Sequence, residues 1–301
     1  MTAFTLPASL EVDEALAAKL RETLLALRPP PVSLEFVELA SALAVHITRR
    51  FPPTPPRVIG VSGAQGSGKS TLCRLLAAAL DSLGYRTATL SIDDLYLTRA
   101  ERERLAADVH PLLVTRGVPG THDVALGLEV MAEIAAGKTV TLPRFDKGID
   151  DRRRRGKRVS GVDYLLFEGW CVGVRPQQDD ALANPLNALE RCEDADARWR
   201  RYVNARIEDY QPLFERLELV IWLAVPDMDA VRRWRAQQER ASVGAADVRC
   251  GSGALHSALR ATDTAHARHH GGARRHYGRT SPRSRHCRRR DAFRLHSVTR
   301  P

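Results

Sequence analysis

The eight residues from Gly63 to Ser70, GAQGSGKS, restrict the fold of this chain more than any other feature. They fill every fixed position of G-x-x-x-x-G-K-[ST], a pattern that works in one setting: a buried strand, a tight turn, and a helix whose N-terminus faces an anion. The flanks supply that setting. RVIGVS before the motif reads as a short buried strand, and KSTLCRLLAAALDSLG after it spaces its apolar residues helically up to a stop at Gly84. Glycines at 63, 66 and 68 let the backbone turn tightly, so that N–H groups of the run Gly63, Ala64, Gln65, Gly66, Ser67, Gly68, Lys69 and Ser70 point inward at phosphate oxygens. Lys69 brings a point charge for β- and γ-phosphates, and Ser70 a hydroxyl for Mg²⁺.

The rest of the chain follows the same architecture. SLEVDEALAAKLRETLLAL (9–27) puts Leu16, Leu20, Leu24 and Leu27 on one helical face, and Phe36, Leu39, Leu43 and Ile47 repeat the pattern after PPP. FPPTPP then punctuates the chain before the first strand. TATLSIDD, YLLFEGW and LELVIWLAV read as further strands; DVALGLEVMAEIAAG and DMDAVRRWRAQQER read as helices, the latter with Asp227 as N-cap. Strands alternating with helices predict an α/β three-layer sandwich around a mainly parallel sheet. The expected layout is an N-terminal helical extension (1–56), a phosphate-binding domain (57–245) and a tail (246–301).

The tail accounts for the charge. From Cys250 to Pro301 there are twelve arginines, no lysine, two aspartates and no glutamate, so the whole formal excess of +10 lies there and the preceding body is neutral. Only five of these residues are Leu, Ile, Val or Phe, too few to fold alone, and a disordered segment is expected. One reading is a basic tail that binds nucleic acid. The other is out-of-frame translation of a GC-rich gene, which yields Arg, Ala, Ser, His and Gly; a sheet broken off before its last strand favours it. Five scattered cysteines (73, 171, 192, 250 and 287) read as reduced thiols. Without a membrane-length apolar run or a leader-like start, a cytoplasmic protein with no membrane partner is expected.

Phosphoryl transfer needs a carboxylate to organise metal and a base for the acceptor's proton. Glu168 ends YLLFE, and Asp93 and Asp94 end LSIDD; each also has a plainer reading as a strand-end acid or turn cap. The absence of N-K-x-D argues against a guanine-nucleotide switch. RGVPGTHD contributes Arg116, His122 and Asp123, and LPRFDKGIDDR contributes Arg144, Asp146, Lys147 and Arg152; cations so clustered suit an anionic acceptor and point to a kinase. RRRRGKR (152–158) reads as a solvated loop.

IGVSGAQGSGKSTL, SIDDLYLT, RGVPGTHD, LPRFDKGIDDR and FEGWCVG, with WRRYVN and WRAQQE further on, resemble the P-loop glycerate 3-kinases, within the group that includes uridine kinase, phosphoribulokinase and pantothenate kinase. The resemblance spans roughly residues 30 to 240, and FDKG-x-DDR with EGWCVG is its specific part. It implies ATP and Mg²⁺ at Gly63–Ser70 with Thr71 close to the phosphates, catalytic roles for Lys69, Asp93 and Glu168, and a metal held by Ser70 and Glu168. It assigns Asp94, Tyr96, Arg116, Asp123, Arg144 and Asp146 to the acceptor, and Arg232, Arg233 and Arg235 to a lid. The implied acceptor is a small anionic alcohol, D-glycerate first; pantothenate, uridine or a sugar phosphate are alternatives, as is an inactive ATP- or nucleic-acid-binding protein.

Overall fold

The computed structural model describes residues 12–27, 32–224 and 293–297. Two helices open it, α1 (Glu14–Ala26), capped by the Asp13 carboxylate, and α2 (Leu34–Arg50). Strand β1 (Arg57–Gly63) then feeds α3 (Lys69–Ser82), and β2 (Thr87–Ser91) follows. Helices α4 (Arg99–Asp108) and α5 (Val124–Ala135) lead to four short strands, β3 (Val140–Leu142), β4 (Phe145–Asp146), β5 (Asp151–Arg152) and β6 (Lys157–Val159). The chain returns to the centre with β7 (Tyr164–Gly169), passes through α6 (Ala188–Glu193) and α7 (Arg198–Phe214), and re-enters the sheet as β8 (Leu217–Leu223).

The main sheet runs β2-β7-β1-β8 with every pair parallel, and β9 (Phe293–Ser297) adds antiparallel to the outer edge of β8. Within the tail expected to be disordered, residues 293–297 form this edge strand. Phe-Arg-Leu-His-Ser alternates apolar and polar residues, the pattern that suits a strand. The remainder of 246–301, and the helix and lid arginines expected at 227–240, lie outside the described residues.

Alternation along each strand splits the core in two. Tyr164 and Leu166 of β7 join Ile59, Val61 and Ile221 under α1, α2 and α3, whereas Leu165 and Phe167 join Leu90 and Val220 under α5 and α7. This is the expected three-layer sandwich, with the N-terminal helices sharing the core of one face. Two pairs stand apart from the sheet: β3 with β6, and β4 with β5, both antiparallel. Among the described residues no helix is long and apolar enough to cross a membrane.

Strand register decides where the chemistry collects. Val61 of β1 and Ser91 of β2 flank Val61's neighbour Glu168 on β7, with Glu168 opposite both. The carboxyl ends of β1, β2 and β7 therefore lie at one rim, and chain order skips from β1 past β7 to β2, the kind of crevice in which open α/β sheets bind ligands.

Candidate active site

The glycine loop has the backbone its sequence predicts. Gly66 and Gly68 hold φ of +78° and +94°, and a Cβ at Gly68 would stand 2.6 Å from Phe36 Cζ of α2. Gly63, Ala64, Gln65, Gly66, Ser67 and Gly68 form the turn, and the first N–H to C=O bond of α3 runs from Leu72 to Gly68 at 2.8 Å. The amides of Lys69, Ser70 and Thr71 thus precede the helical ladder, as in an anion-binding N-terminus.

Three polar side chains fit a phosphate and its metal. Ser67 Oγ is buried and without a hydrogen-bond partner among the described residues. Lys69 Nζ donates to Ala64 O at 2.9 Å, and Ser70 Oγ donates to Glu168 Oε1 at 3.0 Å. Burial draws Lys69 below the usual lysine range against the carboxylates of Glu168 and Asp93, and burial pushes Glu168 up against the charge of Lys69. A hydroxyl beside one carboxylate is a sparse oxygen set, suited to Mg²⁺ completed by phosphate and water. Among the described residues no group of three or more His, Cys, Asp and Glu forms a metal cage.

LSIDD does not end as strand. Residues Ile92–Leu95 form a 3₁₀ turn with Ser91 as its cap, and the two aspartates diverge there. Asp94 is used internally: its carboxylate accepts from Ser91 N–H at 3.4 Å, Phe145 N–H at 3.2 Å and the Arg144 guanidinium. Asp93 turns to the crevice, accepting from Tyr96 OH at 2.9 Å and Lys147 Nζ at 2.7 Å. Burial would raise its pKa, but the Lys147 ammonium and the two hydrogen bonds outweigh that and hold it below the usual carboxylate range. Asp93 is thus an ionised base candidate within the electrostatic reach of Lys69 and Glu168.

The other residues expected at the acceptor are engaged by neighbouring side chains of opposite charge. Arg116 binds Asp150, which also takes Arg102 at 2.9 Å. Asp123 caps α5 through Leu126 N–H at 3.0 Å and pairs with Arg152 at 2.9 Å. Asp146 accepts from Gly148 N–H at 2.9 Å and pairs with Arg153 at 3.1 Å on an exposed turn. Tyr96 stacks on His122 at 4.5 Å. In the 152–158 run, Arg153, Arg154, Arg155, Lys157 and Arg158 are exposed as expected, but the run is not all loop: Arg152 ends β5 half-buried on Asp123, and Lys157 and Arg158 belong to β6.

Comparison with known proteins gives the same assignment from another direction. No family model matches the chain. The uncharacterized kinase mug58 of Schizosaccharomyces pombe is 35% identical over 202 residues, 63% of this chain and 72% of that one. The chloroplastic D-glycerate 3-kinase of Arabidopsis thaliana is 32% identical over 200 residues, 62% of this chain but 41% of that longer one. Among solved structures, the D-glycerate 3-kinase of Cryptococcus neoformans superposes with a TM-score of 0.56 at 27% identity, covering 75% of this chain and 80% of that one. The chain belongs to the family of D-glycerate 3-kinases and related P-loop kinases of the uridine kinase-like group.

Proposed function

We propose that the chain is an ATP-dependent phosphotransferase that moves the γ-phosphate to a hydroxyl of a small anionic metabolite, with D-glycerate as the acceptor. The observation that carries this reading is Asp93, an ionised carboxylate hydrogen-bonded to Tyr96 and Lys147 and within the electrostatic reach of Lys69 in the phosphate loop. A hydroxyl is a poor nucleophile until its proton has somewhere to go, and Asp93 is the base in reach. Lys69 and the amides of Gly66–Thr71 hold the β- and γ-phosphates of ATP as substrate. Ser70 and Glu168 would hold Mg²⁺, whose positive charge would offset that of the phosphates. Lys147, 59% exposed on its side chain, is the cation best placed to meet an acceptor carboxylate beside Asp93.

The family relationship supports glycerate over other acceptors; Tyr96, the aromatic ring beside Asp93, is already covered by His122 and Phe145, which does not favour a stacked nucleobase. The test is acceptor-dependent ADP release with D-glycerate, pantothenate, uridine and a sugar phosphate, each against Lys69→Ala. Turnover with D-glycerate that the substitution abolishes is the expected result. Turnover confined to another acceptor refutes the glycerate assignment, and turnover that survives Lys69→Ala refutes the mechanism.

A further inference from the structure

His122 is buried against Tyr96, the ring that holds Asp93, at 6% exposure, and its surroundings fix it closely. Leu97 N–H donates to Thr121 O at 2.9 Å and Asp123 N–H to Leu95 O at 2.7 Å, so the Tyr96 and His122 backbones form an antiparallel bridge. The imidazole stacks on Tyr96 with 22° between planes and meets Tyr210 edge-on at 5.6 Å.

Hydrogen-bond accounting assigns its proton. The Tyr210 oxygen accepts from Gly120 N–H at 2.9 Å and lies 2.7 Å from His122 Nδ1. A phenol carries one proton, and Nδ1 is the acceptor in reach for it among the described residues. If Tyr210 donates to Nδ1, the phenol is satisfied as donor and acceptor at once; the opposite tautomer strands its proton. The imidazole proton therefore sits on Nε2, and Nε2 is buried without a hydrogen-bond partner among the described residues. Burial also keeps the ring neutral, drawing its pKa down to about 4 against the pull of the Asp93 carboxylate.

An unmet buried donor is costly to a fold and calls for a use. This one belongs to the same wall as the base, because the ring on which His122 stacks is the one whose hydroxyl holds Asp93 Oδ1. We infer that His122 Nε2–H is a substrate-positioning donor, taking a hydroxyl or carboxylate oxygen of the phosphoryl acceptor and thereby aligning its reactive hydroxyl with Asp93. The inference rests on the kinase reading given above. With Nδ1 committed to Tyr210, the ring takes no proton in the reaction; it binds an oxygen without adding charge beside Lys147.

The test compares wild type with His122→Phe, which keeps a stacking ring and removes the donor, and His122→Gln, whose amide restores one at the same reach. With D-glycerate as probe, His122→Phe is expected to lower kcat/KM for the acceptor roughly 10- to 100-fold, the range for a hydrogen bond to a charged group, with the KM for ATP unchanged. His122→Gln should recover most of that loss. A second measurement avoids substitution: nitrogen-15 NMR of the wild-type chain should show Nε2–H in the free protein and a shift of that resonance when D-glycerate is added. Unaltered acceptor kinetics in His122→Phe, or a ring protonated on Nδ1, overturns the inference alone. Failure of wild type to turn over any hydroxy acid refutes the kinase reading and this inference with it.

Discussion

Replacing Arg102 with Met tests whether a buried guanidinium holds the segments around Val114 and Asp150 together. Arg102 sits on α4 with its side chain 2% exposed, and it donates to Val114 O at 2.7 Å, Asp150 O at 2.8 Å, Asp150 Oδ2 at 2.9 Å and Leu97 O at 3.3 Å. Methionine keeps the apolar stem and deletes every one of these bonds. Breaking a buried ion pair by removing one partner costs about 3–5 kcal/mol. Here the low end applies, about 3 kcal/mol, because Asp150 is 34% exposed and retains Arg116. The reciprocal change, Arg116→Met, leaves Asp150 with Arg102 and should cost about 1 kcal/mol. Urea unfolding of both variants gives the two numbers, and amide exchange across 144–152 locates the loss, since Asp150 ties down the turn that carries Lys147. A loss under 1 kcal/mol for Arg102→Met, or equal losses for both, refutes the reasoning.

Gly68→Ala must accommodate a Cβ 2.6 Å from Phe36 Cζ at a φ of +94°, and is expected to cost about 2–3 kcal/mol, part of it returned when Phe36→Ala is added; strict additivity in thermal unfolding counts against the ring contact. His122 resists protonation in the fold, with a pKa near 4 against 6.5 unfolded, so the unfolded chain binds the extra proton first. Its contribution, about 3 kcal/mol, is present above pH 6.5 and lost as pH falls towards 4; unfolding across that window should show a slope that His122→Phe removes, and an unchanged slope rejects the assignment. Lys147→Ala removes the charge that lowers the Asp93 pKa, so the acid limb of the kcat/KM profile should move to higher pH, and an unmoved limb argues against Asp93 as base.

What the sequence makes legible is set by the range of the interactions involved. The phosphate loop, β1 and α3 follow from a local pattern, and buried strands such as β7 announce themselves as apolar runs. Helix α4, RAERERLAAD, shows no apolar stripe, yet Thr98 and Glu101 form a capping box that the T-x-x-E spacing encodes and that could have revealed it. Helix α7 buries Trp199, Val203, Ile207 and Tyr210 at helical spacing, an arrangement obscured by the arginines between them. The strands of the β3–β6 and β4–β5 pairs are two or three residues long and all but β3 carry charge, so nothing local separates them from loop. His122 acquires its orientation from Tyr210, 88 residues away, and no spacing rule reaches that far. Asp93 and Asp94 are adjacent and chemically alike; only the turn that points one at Lys147 and the other at Arg144 tells them apart.

The separation of the β4–β5 hairpin from the main sheet has an evolutionary consequence. Phosphate handling is tied to the ends of β1 and β7, where a shift of one residue would turn Glu168 to the opposite face and ruin both core and chemistry. The Lys147 turn hangs on Asp150 and the arginines around it, and its residues can change without disturbing that ladder. On the function proposed above, selection can therefore retune the acceptor at little risk to phosphate handling, and one scaffold can diverge across acceptors while its phosphate-binding half stands still.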